Sequence, residues 1–192
     1  PRGATPLFFE KGQGAYVWDY DGNQYIDYMS ALMPIILGYR DPDVDEAIRN
    51  QLESGIIFSL PSNLELKLSE KLIELIPSAE MVRFGKNGSD VTSAAIRLAR
   101  AYTGRDRVTV CGYHGWHDWY IGSTSRNLGV PKVVQDLSST FIFNDSDSLE
   151  SLFKSDPNGY AAVILEPTGV CEPEDGFLER VRELCDQYGV VL

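Results

Sequence analysis

From Met81 onward the sequence alternates short apolar runs with amphipathic stretches, and this alternation restricts the possible folds more than any other feature. The runs at 81–84, 108–111, 140–143 and 161–165 read as strands, with another beginning at Val190. Between them, 89–102, 146–154 and 177–188 carry apolar residues at the three-and-four spacing of one helical face, and a weaker pattern runs near 121–128. Strands joined through helices are crossover-connected, so an α/β fold is expected, with a mostly parallel sheet flanked by helices on both faces.

The residues before this alternation read differently. "AYVWDYDGNQYIDYMS" alternates around Asp21-Gly22, a hairpin signal. "DPDVDEAIRNQLESG" reads as a helix started by Asp41-Pro42 and stopped by Gly55. "NLELKLSEKLIELIP" reads as a second helix with Leu64, Leu68, Leu72 and Leu75 on one stripe, ended by Pro77. The expected division is a small N-terminal hairpin-and-helix segment over 1–62 and the first part of an α/β domain over 63–192.

A net charge of −11 argues against nucleic acid or an anionic membrane as the main partner. No segment has the length and apolarity of a membrane span or reads as a signal peptide. Cys111, Cys171 and Cys185 are odd in number and widely spaced, which fits reduced thiols in a cytoplasm better than a disulfide framework. Both ends read as cut. The chain starts at Pro1 without an initiator Met and stops on Val190, Val191 and Leu192, so it is expected to be part of a longer protein.

The stretch "GKNGSD" leads into the helix at 89–102. Gly and Asn allow a sharp turn that exposes backbone N–H groups, and Ser89 adds a hydroxyl. A turn of this kind at a helix N-terminus is a natural anion cradle, although an ordinary capped turn fits the same residues. In open α/β sheets, ligands sit outside the carboxyl ends of the strands. Three loops leave such ends, "GKNGSD", "GYHGWHDWY" and "EPTGVCEPEDG", and they are expected to converge on one pocket.

"NGSDVTSAAIRLARAYTGR", then "YHGWHDWYIGST" and "AAVILEPTGV", resemble the cofactor region of the class III, fold-type I aminotransferases, a family that includes glutamate-1-semialdehyde aminomutase. The N-terminal "GAYVWDYDGNQYIDYMS" is similar to that family's opening segment, so the resemblance runs in order through nearly the whole chain. It implies the large domain of a fold-type I transferase, incomplete here, that depends on pyridoxal 5'-phosphate and transfers an amino group through Schiff-base intermediates. It further implies a small-molecule amino donor and acceptor and a homodimeric parent. Gly88 and Ser89 would bind the cofactor phosphate, Tyr113 would set its ring against the pyridine face, and His114 with Gly115 would complete the turn. Glu166 would line the pocket near the reacting carbon as a catalytic group, or serve as a structural carboxylate paired with an amide or an Arg. The Schiff-base lysine and the acid that holds the pyridine nitrogen are expected beyond Leu192, because Lys86 stands at the phosphate end of the cofactor. A catalytically inactive binding relative of the family is the alternative.

Asp90, beside the proposed phosphate, is unfavourable there unless its side chain turns away. Cys111, His114, His117 and Asp118 are conceivable metal ligands but lack a second spaced pair, and His117 with Asp118 reads better as a local hydrogen-bonded turn. Family members place a substrate-facing loop at residues 30–39. Leu32 and Met33 are bulkier here, and Tyr39 and Asp41 stand where many relatives carry His, which implies a different or more apolar substrate than glutamate semialdehyde.

Overall fold

The computed structural model describes residues 6–169 and 171–192; residues 1–5 and Val170, which belongs to the third expected loop, lie outside it. The chain forms two compact units, 1–82 and 83–192, so the second expected helix falls in the first unit. No helix among the described residues is long and apolar enough to cross a membrane.

In the first unit, β1 (Phe9–Gln13), β2 (Tyr16–Asp19) and β3 (Gln24–Ile26) form an antiparallel sheet in chain order. The β2–β3 turn is the one expected at Asp21-Gly22, with Gly22 at φ 83°. The Asp19 carboxylate holds this turn: it accepts from the amides of Asp21 and Asn23, from the Asn23 side chain, and from the Tyr25 hydroxyl at 2.8 Å. These donors, the Asn23 side chain foremost, hold its carboxyl below the usual carboxylate range. Helix α1 (Pro42–Ser54) starts where Asp41 caps the amides of Asp43 and Val44, and Gly55 follows its end. Helix α2 (Asn63–Leu75) opens with a Ser62–Glu65 capping box. Its stripe forms as read, with Leu64, Leu68 and Leu75 exposed along it.

The second unit is built on a parallel sheet in the order β5-β4-β6, from β4 (Arg107–Cys111), β5 (Ser138–Thr140) and β6 (Tyr160–Leu165). Val191 adds a parallel bridge to Ala162, so the strand expected from Val190 lies beside β6. Side chains alternate across the sheet. Val108, Val110 and Ala162 pack with Ile96 and Ala99 of α3 (Gly88–Thr103) and with Trp119 and Tyr120 of α4 (Asp118–Ile121). Cys111 and Val163 face the other way, against Leu149 and Phe153 of α6 (Ser146–Ser155) and Val181, Leu184 and Cys185 of α7 (Phe177–Tyr188). Helices therefore cover both faces, as the alternation demands.

Three expected elements differ. Residues 81–84 form no strand: among the described residues no ladder partner runs beside them, and an apolar segment without one is simply extended chain. The strand expected at 140–143 sits earlier, at Ser138–Thr140. After Phe141 the Ile142 amide donates to Ser148 Oγ, and Asn144 turns the backbone at φ 62°. The weak helix expected near 121–128 does not form: α4 ends at Ile121, turns follow, and α5 (Lys132–Gln135) begins after Pro131. Arg105 ties the C-terminal turn of α7 to the sheet, with Nη1 donating to the carbonyls of Tyr160, Tyr188 and Gly189.

Leu184 is fully buried in the α6–α7 core. Leu184→Ala is expected to cost about 3 kcal/mol of unfolding free energy, measured by urea denaturation. Burial pushes the Cys185 thiol up to about 11. Above pH ~9 the unfolded thiol releases its proton while the folded one keeps it, so stability falls as pH rises towards 11, by roughly 2 kcal/mol. Denaturation curves from pH 8.5 to 11 check this against Cys185→Ala, which lacks that part of the fall.

Candidate cofactor-phosphate site

Helix α3 opens with its amides unobstructed. Asn87 is its N-cap, with Oδ1 accepting from the Asp90 amide at 3.1 Å while the Asp90 carboxylate accepts from the Asn87 amide at 3.3 Å. This capping box explains Asp90: its charge is turned back onto the helix end and acts as a structural group there. Among the described residues no acceptor engages the amides of Gly88 and Ser89, so the first turn keeps donors for an anion. The space beside Gly88, where a Cβ would stand, is open.

Ser89 is buried, and its Oγ accepts from the Trp116 amide at 3.2 Å. An amide only donates, so the Ser89 proton remains available for an acceptor in the cavity. That cavity, of about 370 Å³, is lined by Asn87, Gly88, Ser89 and Thr92 from α3 and by Tyr113, His114, Gly115 and Trp116 from the loop after β4. Four of the five residues singled out in the sequence thus meet at one opening. Lys86 is exposed just before the cap.

The loop after β4 turns at Gly112 (φ 92°) and Gly115 (φ 103°). Any Cβ at Gly115 would overlap the Ser89 hydroxyl and stand 3.0 Å from Ser89 Cβ. His114 is buried, and Nε2 donates to the Cys111 carbonyl at 2.9 Å, so its ring supports the loop from beneath. Its own carbonyl accepts from Thr92 Oγ1 at 2.9 Å. Tyr113 presents an exposed ring, set edge-on to Tyr120 with centroids 5.7 Å apart. Tyr120 donates to the Gly112 carbonyl at 3.0 Å, and burial raises its phenol, which keeps it a neutral donor.

Glu166 follows β6 and is exposed, with its amide donating to the Cys111 carbonyl at 3.1 Å. Its side chain lies along Gly112: a Cβ at Gly112 would meet Glu166 Cγ at 2.9 Å. It borders the base of the loop and is not among the cavity-lining residues. Among the described residues its carboxylate has neither a hydrogen bond nor an ion pair. Burial first, and then the Glu166 carboxylate, raise the neighbouring Cys111 thiol.

The expected local turn of His117 with Asp118 is not how the imidazole is used. His117 Nδ1 lies 2.7 Å from Ser93 Oγ on α3, and Trp119 Nε1 donates to the same oxygen at 2.9 Å. Ser93 carries no local sequence signal for this role, being one of several polar residues along α3. No three His, Cys, Asp or Glu side chains converge as a ligand set among the described residues.

Residues 30–39, in the first unit, carry four consecutive left-handed residues, Ser30, Ala31, Leu32 and Met33, at φ 47°, 52°, 65° and 81°. The Asp27 carboxylate holds the run by accepting from the amides of Met29 and Ala31 and, at 2.7 Å, from the Tyr39 hydroxyl. This bond to Tyr39 lowers the Asp27 carboxyl and raises the Tyr39 phenol. Leu32 and Met33 remain exposed.

Gly115→Ala combines an overlap with Ser89 and a left-handed backbone, and is expected to destabilise the protein by about 2 kcal/mol or more in urea denaturation.

A free helix end, an unshared serine proton and an aromatic wall suit a phosphate joined to a flat ring. The family model described as aminotransferase class-III matches residues 1–192. A 3-aminobutyryl-CoA aminotransferase from Cloacimonas acidaminovorans is 42% identical, over 99% of this chain and 47% of that protein. A glutamate-1-semialdehyde 2,1-aminomutase from Syntrophobacter fumaroxidans is 38% identical over the same shares. A solved transaminase with PLP bound superposes with a TM-score of 0.91 at 28% identity, covering 99% of this chain and 48% of that one. The chain spans about half the length of the curated relatives it matches, and it belongs to the class III aminotransferase family.

Proposed function

We propose that this chain supplies the phosphate-holding part of a pyridoxal-phosphate-dependent aminotransferase or aminomutase. The observation that carries the reading is the convergence of the free Gly88 and Ser89 amides, the Ser89 hydroxyl and the Tyr113 ring on one cavity. When bound, the cofactor supplies an electron sink for the carbon that loses a proton.

The residues of this chain bind and orient it. Gly88 and Ser89 donate to phosphate oxygens, where the positive end of α3 favours a charge near −2. The Ser89 proton, left unshared because Oγ only accepts from Trp116, completes this set. Tyr113 faces the flat ring, edge-supported by Tyr120. His114 contributes through its backbone, since its ring donates to Cys111. Glu166, at the carboxyl end of β6, is the carboxylate of this chain closest in role to the reacting carbon, and its contact with Gly112 sets its position.

Transfer of an amino group between small molecules also needs a lysine, and we assign it to the protein outside residues 1–192. Lys71, Lys132 and Lys154 pair with Glu74, Asp136 and Glu150 at the surface, Lys11 lies over Trp18, Lys67 is exposed, and Lys86 precedes the phosphate end. The unpaired thiols Cys111, Cys171 and Cys185 support a cytoplasmic setting, and the family resemblance supports a homodimer. The exposed Leu32 and Met33, held out by the left-handed run, support a substrate more apolar than glutamate semialdehyde.

Two measurements test this reading in the complete protein. Ser89→Ala is expected to weaken pyridoxal phosphate binding about tenfold in an absorbance titration. Borohydride reduction followed by digestion and mass spectrometry is expected to label a single lysine outside residues 1–192. Label on Lys86, or no label on folded protein, would overturn the reading and favour an inactive binding relative.

A further inference from the structure

The loop that walls the cavity is held in an unusual way. Gly112 and Gly115 leave its backbone free to turn, and the two side chains that face outward, Tyr113 and Trp116, are 64% and 70% exposed. Of residues 112–117 burial anchors His114 and Gly115, and further order comes from hydrogen bonds to α3. Three residues of α3 provide them. Ser89 accepts the Trp116 amide, Thr92 donates to the His114 carbonyl, and Ser93 meets His117 Nδ1. These positions are i, i+3 and i+4, one face of the first turns of α3, and together they hold His114, Trp116 and His117 of the loop.

His117 closes this row at the point where the loop enters α4. It is the N-cap of α4, yet its side chain makes no capping bond and reaches across to α3 instead. Ser93 Oγ already accepts from Trp119, because an indole nitrogen only donates. One hydroxyl thus joins the cap residue and the buried ring of α4 to the helix whose N-terminus faces the cavity.

We propose that His117 is a positioning residue for the cofactor site, acting through the Ser93 hydroxyl to keep the 112–117 loop and its Tyr113 wall over the cavity. The inference rests on the cofactor reading above. Without the His117–Ser93 contact, the C-terminal anchor of the loop loses its side-chain link to α3, and the exposed Tyr113 ring samples more orientations. The Ser89 hydroxyl and the helix amides stay in place, so binding weakens without being abolished.

The test uses the complete protein and pyridoxal phosphate as probe. Three quantities are read for each variant: the dissociation constant, the induced circular dichroism per bound cofactor, and the melting temperature of the cofactor-free protein. His117→Ala is expected to raise the dissociation constant about tenfold and to diminish the dichroism, as loss of one half-buried hydrogen bond implies. His117→Asn, whose amide stands near the Nδ1 position, is expected to restore affinity to within about threefold. Ser93→Ala, which also loses the Trp119 bond, should weaken binding at least as much as His117→Ala, and the double variant should bind no more weakly than Ser93→Ala alone, since Ser93→Ala already removes the His117 contact. Ser93→Ala also carries the test if His117→Ala does not fold. Wild-type affinity and dichroism in His117→Ala would overturn the proposal. So would equal losses in the Ala and Asn variants that track a lowered melting temperature, the mark of a purely structural role. Failure of the wild-type protein to bind pyridoxal phosphate would instead remove the cofactor reading on which the proposal stands.

Discussion

The position of β4 between β5 and β6 is the constraint on which the second unit depends. Pairing on both edges leaves β4 no solvent-facing side, so Val108 and Val110 pack against α3 and α4 while Cys111 packs towards α6 and α7. A strand held this way ends at a defined point. Its carboxyl end delivers Gly112 beside Glu166 and starts the loop that crosses the N-terminus of α3. Two faces of apolar burial thus set where a polar site is assembled.

At that site the chain keeps some polar groups satisfied and others open. Asp90, His114, Thr92 and Ser93 all have partners within the protein, in the helix cap, the end of β4 and the loop that follows it. The amides of Gly88 and Ser89 and the Ser89 proton do not. Buried or half-buried donors of this kind are tolerated because a helix end faces open volume, and they favour an anion whose oxygens can accept several of them. The Trp116 amide already directs the Ser89 lone pair, which leaves the Ser89 proton for an acceptor in the cavity.

The first unit follows the same economy of carboxylates. Asp19 and Asp27 each collect three or four donors, one to close a hairpin and the other to hold a run of residues in left-handed backbone. Non-glycine residues adopt that region at a cost, so four in succession persist only where neighbouring groups determine them. Tyr39 and Asp41 take part in this, the former through Asp27 and the latter by capping α1, which gives both departures from the family pattern a structural use.

The sequence by itself determined the elements whose signals are local. The helices Phe177–Tyr188 and Gly88–Thr103, the turn at Asp21-Gly22, the cap before Pro42 and the parallel character of the sheet all follow from periodicity, capping chemistry and the alternation of strand with helix. Gly88 and Ser89 were legible from the Gly-Asn turn that opens α3, and Tyr113 and His114 through the family resemblance. Only the tertiary structure decided what has no local signal. Residues 81–84 look like a strand, but a strand exists only with a ladder partner. His117 looks like part of a turn, but Ser93, twenty-four positions away, takes its nitrogen. Asp90 looks misplaced until the capping box turns it away, and Glu166 becomes a neighbour of Gly112 only when β6 pairs with β4. In each case the deciding partner is close in space and not distinguishable in sequence, because hydrogen bonds and packing act over a few ångströms and not along the chain.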